Sequence, residues 1–284
     1  MEIKKVGVIG CGIMGGGITQ VCAQSGYQVV VSEINDELLK KGMAGINSIL
    51  TRSVEKGKMT QQEKDATLSR IKGTTNMQDF QDRDLVIEAA VENLELKKKI
   101  FAQLATICSP HAILASNTSG LSIIDMGMAA KRPDKVLGLH FFNPVPVMKL
   151  LEIVYGIATS EDTIETGKQF GKSVGKTMVI AKDAPGFIVN RLMVPQILNA
   201  IRMFELGIAS KEDIDNGMVL GLNHPMGPFA LADLVGLDTL MFIANGIYAE
   251  FKDPAYVPPT LLTKMVAAGW LGRKTGKGFY EYKK

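Results

Sequence analysis

Cysteine is scarce: the chain of 284 residues holds three, Cys11, Cys22 and Cys108, an odd number with no CxxC spacing. That number and spacing argue against a disulfide framework and against a structural zinc site, so no metal is expected and a reducing cytoplasm is the natural setting. A bias of charge is lacking too, with 32 Lys+Arg against 29 Asp+Glu and a net charge of +3. A nucleic-acid protein usually shows a clustered basic excess, so no nucleic-acid partner is expected, although local lysines can still meet an anionic substrate. Aromatic residues make up only 6%, while glycine numbers 29 and methionine 15, a balance that suits an α/β enzyme better than an all-β sandwich. Long apolar runs are missing. The stretch from Val6 to Ile18 is interrupted by glycines, is too short to span a bilayer and has no plausible cleavage site, and Tyr280–Lys284 carries no retention or peroxisomal signal. The expectation is a soluble, cytoplasmic protein with no membrane association. At 46% hydrophobic and 21% charged residues it can bury a core without staples, and its length suits two domains.

What is present begins with alternation. Lys4–Gly10 (KKVGVIG) reads as a buried strand ending on glycine, Met14–Ser25 as a helix with Ile18, Val21 and Cys22 on one face, and Tyr27–Glu33 as a second strand. Together they make one βαβ unit. Two polar helical patterns follow, Asp36–Lys56 and Thr60–Ile71, an arm inserted into the α/β alternation; a solvated arm and a ligand-binding one fit its spacing equally. Strands are expected again at Leu85–Ala90, Ile113–Ser116, Val136–Phe142, Leu150–Tyr155 and Met178–Ala181, with helices at Leu94–Ile107, from Ser122 and at Glu161–Val174. After Asp183 the strand signal ends, and helical patterns fill Phe187–Met265, broken at Gly207, Gly221, Pro225–Pro228 and Asp253–Pro259. The fold class is therefore α/β: an N-terminal Rossmann-type domain with an inserted helical arm over residues 1–185, and an all-helical C-terminal domain over residues 186–284.

Gly10-Cys-Gly12-Ile-Met-Gly15 matches the dinucleotide fingerprint GxGxxG. Gly10 permits the tight turn, Gly12 lets backbone approach a pyrophosphate, and Gly15 allows helix and strand to touch; Ile13 and Met14 complete the turn. Glycine-rich turns are common, but this one closes a first strand and opens a helix, the context the motif requires. Glu33, at the end of the second strand, is placed to accept hydrogen bonds from the adenosine ribose and to repel a 2′-phosphate. It favours NAD over NADP, and NADP stays open because the preference rests mainly on this one carboxylate.

Ligands of such sheets sit beyond the carboxyl ends of the strands. Polar residues cluster there three times: Glu92 and Asn93, then Asn117, Thr118 and Ser119, then His140 with Asn143. Of the three histidines, His111 reads as solvated and His224 as a turn residue, whereas His140 lies inside an apolar strand (LGLHFF). A histidine in that setting is more often a satisfied core residue. Glu152 changes the weighing, because it is a carboxylate inside the next apolar strand (LLEIV) and is costly to bury unpaired. Set against one ring nitrogen of His140, it would leave the other to exchange a proton with substrate, the orienting arrangement of a general acid/base dyad.

These residues together resemble the 3-hydroxyacyl-CoA dehydrogenases, particularly their bacterial short-chain branch, over essentially the whole chain. The resemblance rests on Gly10–Gly15, Val86-Ile-Glu-Ala-Ala-Val-Glu-Asn93, Ala115-Ser-Asn-Thr-Ser119, the segment His140–Leu150, Asp183-Ala-Pro-Gly-Phe-Ile-Val-Asn-Arg191, His224-Pro-Met-Gly-Pro228 and Gly272-Arg-Lys-Thr-Gly-Lys-Gly-Phe-Tyr280. Several ordered motifs are far more specific than one glycine loop. The resemblance implies hydride transfer between NAD(H) and a short 3-hydroxyacyl-CoA, with acetoacetyl-CoA and 3-hydroxybutyryl-CoA as the oxidised and reduced pair. It implies that His140 is the acid/base, that Glu152 orients it, and that Ser119 and Asn190 hold the C3 oxygen of the substrate. It places Glu92, Lys97, Asn117, Ser119, Asn143 and Lys274 near the nicotinamide and its ribose, and Arg52 and Lys56, with Ser119, at the coenzyme A substrate. It further implies a homodimer or higher homo-oligomer formed through the helical domain.

Two departures from the family pattern stand out: Gly120 follows Ser119 where a second serine is usual, and the glycine loop runs on into Gly16 and Gly17. Two other readings compete. A short-chain 3-hydroxy acid dehydrogenase without coenzyme A is opposed by the Lys56 arm and the Asn-Pro-Val-Pro segment. A catalytically inactive, cofactor-binding structural protein of the same fold is opposed by the intact set His140, Glu152 and Asn190.

Overall fold

The computed structural model describes residues 1–282; Lys283 and Lys284, the end of the expected C-terminal domain, lie outside the described residues. Two compact units divide the chain, Met1–Ala184 and Pro185–Lys284.

The first unit opens with strand β1 (Lys5–Ile9), helix α1 (Ile13–Gln24) and strand β2 (Gln28–Ser32), followed by helices α2 (Asp36–Glu55) and α3 (Gln61–Leu68). It continues with β3 (Ile71–Thr74), β4 (Leu85–Glu88), α4 (Leu94–Ile107), β5 (Ile113–Ser116), α5 (Ile123–Ala129), β6 (Val136–Phe141), β7 (Leu150–Tyr155), α6 (Glu161–Ser173) and β8 (Thr177–Lys182). The strands form one sheet of eight, in the order β3-β2-β1-β4-β5-β6-β7-β8. Neighbours are parallel except β6 and β7, which run antiparallel. The valine-rich strands β1 and β2 are buried from their second residue onward, as parallel strands covered on both faces must be. Val6, Val8, Val29, Val31 and Ile87 pack with Ile18 and Cys22 of α1 and Phe170 of α6 in one core. The chain steps outward from β1 to β3 and then returns to β4 on the other side of β1. That reversal makes a crevice at the carboxyl ends of β1 and β4.

Local chemistry starts the helices where they start. Asn35 caps α2 by accepting from the Leu38 amide, and Thr60 and Glu63 form a reciprocal capping box on α3. The helix expected over Thr60–Ile71 stops at Leu68, and Ile71 opens an edge strand instead. At four residues (IKGT), with a lysine and a glycine among them and only Thr74 buried, β3 carries no period that sequence could show. Asn93, grouped by sequence with the strand-end ligands, is the cap of α4.

The second unit consists of α7 (Val189–Glu205), α8 (Lys211–Leu222), α9 (Pro228–Val235), α10 (Leu237–Phe251) and α11 (Thr260–Ala267), with 3-10 turns between and after them. Its own core gathers Ile197, Leu198, Phe229, Leu240 and Ala244. Gly221 does not break α8; the break falls at Asn223, which takes the left-handed conformation. A break absent from the expected pattern occurs at Gly236, whose φ of 98° ends α9 and starts α10 at once. Asp233 accepts the amides of Phe279 and Tyr280 and the hydroxyl of Tyr282, which ties the tail to α9. Among the described residues, no single helix is long and apolar enough to cross a membrane.

Candidate active site

The glycine turn sits at the crevice. Gly10 has φ +92°, and a Cβ there would meet the carbonyl oxygen of Ala89 at 2.8 Å, so the turn lies against the end of β4. A Cβ on Gly15 would collide with the Gly10 carbonyl oxygen, so close is the approach of α1 to its preceding turn. Gly12, the cap of α1, has nothing within 4 Å of the position a Cβ would fill. Open space beside bare backbone at a helix N-terminus fits a pyrophosphate in both shape and charge. Gly17 is also explained, because a Cβ there would come within 2.9 Å of Val145. Gly16 has ordinary room, and nothing in the structure requires it.

Glu33 follows β2 and reaches back over the turn, its Oε1 accepting from the Cys11 amide at 2.7 Å and its Oε2 from the Ile34 amide at 3.2 Å. The carboxylate is thus fixed at the lip of the turn, where a ribose diol would find acceptors. Burial first, and the Glu33 charge second, push the Cys11 thiol up to about 11.

Beyond β4 and β5 lies a network of charges. Lys97 of α4, 1% exposed, places its ammonium 2.7 and 2.9 Å from the two oxygens of Glu88 and 3.3 Å from Glu92. The second oxygen of Glu88 also accepts from Ser116 Oγ at 2.6 Å. Glu92 Oε1 accepts from the Thr118 hydroxyl, from the Ser119 amide at 2.8 Å and from the Ser119 hydroxyl at 3.2 Å. Asn117 ties the strand ends laterally, its amide donating to the Glu88 carbonyl and its Oδ1 accepting from the Phe141 amide at 2.9 Å.

That last bond lands beside His140. In the antiparallel register of β6 and β7, His140 stands opposite Glu152. His140 Nδ1 lies 2.6 Å from Glu152 Oε2, with the histidine 7% and the glutamate 0% exposed. The Phe142 ring lies 4.6 Å from the imidazole, centroid to centroid. An imidazole backed by a buried carboxylate can take up and return a proton.

The structure thus brings together Glu92, Lys97, Asn117 and Ser119, and separately His140 and Glu152, along adjacent strand ends. Asn143 is exposed in the loop after β6. Arg52 and Lys56 stand exposed at the end of α2, and neither pairs with a carboxylate among the described residues. In the second unit, Asn190 is buried in the first turn of α7, and Lys274 pairs with Asp238. Sequence reasoning missed Glu88. The signal was the one that exposes Glu152, an acid inside an apolar run (LVIEAA), but no histidine drew attention to it.

The model for the 3-hydroxyacyl-CoA dehydrogenase NAD-binding domain matches residues 5–184, and that for the 3-hydroxyacyl-CoA dehydrogenase C-terminal domain matches residues 186–282. The chain is 49% identical over 282 residues to a 3-hydroxybutyryl-CoA dehydrogenase of Mycobacterium tuberculosis, covering 99% of both. It is 47% identical over 280 residues to a 3-hydroxybutyryl-CoA dehydrogenase of Clostridioides difficile, covering 99% of this chain and 100% of the other. The crystal structure of (S)-3-hydroxybutyryl-CoA dehydrogenase PaaH1 from Ralstonia eutropha matches with a TM-score of 0.95 at 47% identity, over the full length of both chains.

Proposed function

The chain belongs to the 3-hydroxyacyl-CoA dehydrogenase family, and from that premise we propose that it interconverts (S)-3-hydroxybutyryl-CoA and acetoacetyl-CoA, with His140 moving the proton. It is an NAD-dependent dehydrogenase. NAD(H), when bound, supplies the acceptor or donor of the hydride; the rest of the chemistry belongs to the protein's own side chains. The Gly10–Gly15 turn and the start of α1, with Ile13 and Met14, are assigned to the pyrophosphate, Glu33 to the adenosine ribose, and Glu92, Asn117 and Asn143 to the nicotinamide half.

The observation that carries this reading is the contact of His140 Nδ1 with Glu152 Oε2 at 2.6 Å. A carboxylate that accepts the Nδ1 proton fixes the tautomer and orientation of the ring, so that proton exchange with substrate falls to Nε2. In oxidation, His140 takes the proton of the C3 hydroxyl. In reduction, the imidazolium, stabilised by the Glu152 charge, returns it to the C3 oxygen, which Ser119 polarises by hydrogen bonding. Arg52 and Lys56 are assigned to the phosphates of coenzyme A, since two exposed cations without carboxylate partners among the described residues are open to anions. Exposed apolar side chains of the second unit, among them Leu192, Leu206 and Leu220, support a homodimer or larger homo-oligomer formed through that unit.

The test is the loss of reduced-nicotinamide absorbance when purified protein meets acetoacetyl-CoA, with NADH and NADPH in separate assays. Rapid oxidation of NADH is expected. Folded protein that binds NADH and turns over nothing would overturn the proposal, and a preference for NADPH would overturn the role of Glu33.

A further inference from the structure

The geometry points to Glu88 as a positioning residue that decides which oxidation state of the cofactor binds more tightly, by keeping a net negative charge at the ends of β4 and β5. This rests on the reading that the nicotinamide half lies over those strand ends. The sheet supports that placement: with the pyrophosphate at the β1 turn and the adenosine over β2, the other half of a dinucleotide falls across the reversal, over β4 and β5 and toward His140 on β6. Gly10 touches Ala89, so the loop that carries Glu92 begins at the pyrophosphate turn itself.

Glu88 is 0% exposed and saturated with donors. Its Oε1 accepts from Lys97 at 2.7 Å and the Ala90 amide at 2.7 Å, and its Oε2 from Lys97 at 2.9 Å and Ser116 at 2.6 Å. It therefore has no capacity left for a ligand and acts through its neighbours. A buried ammonium is costly without a partner, and Glu88 supplies that partner to Lys97. Lys97 in turn lies 3.3 Å from Glu92, whose side chain is 25% exposed and so the accessible member of the cluster. Counted formally, two carboxylates and one ammonium carry a charge of −1. The oxidised nicotinamide ring is cationic and the reduced ring is neutral. A negative cluster with two of its three charges buried therefore attracts the first more than the second. Removing the Glu88 charge leaves Lys97 and Glu92 to cancel.

The experiment measures the dissociation constants of NAD+ by calorimetry and of NADH by fluorescence, with folding of each variant checked by thermal melting. Glu88→Gln is expected to weaken NAD+ relative to NADH on the order of tenfold. The double variant Glu88→Gln/Lys97→Met, again formally −1, is expected to restore the wild-type ratio. Equal weakening of both cofactors by Glu88→Gln, or a ratio the double variant does not restore, overturns the proposal in favour of a purely structural role. If Glu88→Gln does not fold, Glu88→Ser carries the test: it is also neutral, leaves room for water beside the Lys97 ammonium, and must move the ratio the same way, toward NADH; an unchanged ratio there also overturns the proposal. Glu92→Gln separates the underlying reading: a variant that alters neither affinity removes the nicotinamide from this cluster, whereas one that shifts the ratio while Glu88→Gln does not rejects Glu88 alone.

Discussion

His140 and Glu152 are register partners across the antiparallel β6–β7 pair, and their side chains meet at 2.6 Å between Nδ1 and Oε2. Replacing His140 by Gln removes the proposed proton carrier while keeping a polar side chain of similar reach. Turnover should fall on the order of 10³-fold, with the NADH dissociation constant within about twofold of wild type. Glu152→Gln puts an amide against Nδ1 and weakens the tautomer preference, so kcat should fall about 10- to 100-fold with little change in KM. Steady-state kinetics beside NADH fluorescence titration checks both. Folded His140→Gln that no longer binds NADH would assign this histidine to the cofactor instead.

Three neighbouring glycines should respond differently to the same methyl group. Gly12→Ala points into open space, so its melting temperature should match wild type while NADH binding weakens about tenfold or more, because the pyrophosphate proposed to lie there would meet the added methyl. Gly17→Ala drives Cβ to within 2.9 Å of Val145 and should cost roughly 1–3 kcal/mol of stability. Gly16→Ala meets Ile46 only at 3.6 Å and should gain up to about 1 kcal/mol from helix propensity. Melting curves that rank the three in any other order would contradict this packing.

The cations of the arm offer a split between binding and chemistry. Lys56→Ala and Arg52→Ala should each raise KM for acetoacetyl-CoA by about tenfold while leaving kcat within about twofold. With a truncated acetoacetyl thioester that lacks the nucleotide phosphates, both variants should match wild type. A defect that persists on the truncated substrate would place these residues elsewhere in the reaction. Raising the salt concentration should mimic the substitutions, since exposed charges are screened.

The buried thiols set an alkaline limit. Desolvation pushes Cys11 and Cys108 up to about 11 from a reference of 9.0, and raises Cys22 as well. In the unfolded chain these thiols ionise near 9, whereas in the folded protein they stay neutral to higher pH. Their contribution to stability is therefore complete below about pH 9 and drains away as pH rises toward 11. Denaturant midpoints should be flat from pH 7 to 8.5 and fall above 9. Alkylation by iodoacetamide at pH 8 should be negligible until the protein unfolds; rapid labelling of the native protein would show that the thiols are open.

Much of the α/β unit is legible because its strands are buried on both faces. KVGVI, QVVVS and VLGLHF stand out as apolar runs bounded by glycine or polar residues, and the fingerprint locates the turn that joins the first strand to the first helix. What escapes is what lacks a local signature. Strand β3 is an edge of four residues, and the Gly236 break depends on a backbone angle rather than on composition. Asn93 sits where either a ligand contact or a helix cap is plausible chemistry, and only the backbone distinguishes them. The pairing of His140 with Glu152 is readable as a need, because each is expensive alone in an apolar strand. Glu88 expresses the same need, but its partner Lys97 lies in a helix whose other lysines face solvent, so no pattern marks it as the buried one.

The reversal of β7 against β6 has a consequence for inheritance. A cleft for a dinucleotide must be assembled from β1, β2, β4 and β5, elements spread over more than a hundred residues. The histidine and its carboxylate, in contrast, are 12 residues apart and belong to one hairpin. The proposed proton-transfer pair is therefore a cassette: contiguous, cheap in loop-closure entropy, and transferable or erasable as a single stretch of gene. It is also fragile in one particular way. A slip of one residue between the two strands would turn Glu152 to the opposite face of the sheet and leave the imidazole without its counter-charge, with every catalytic side chain still present in the sequence.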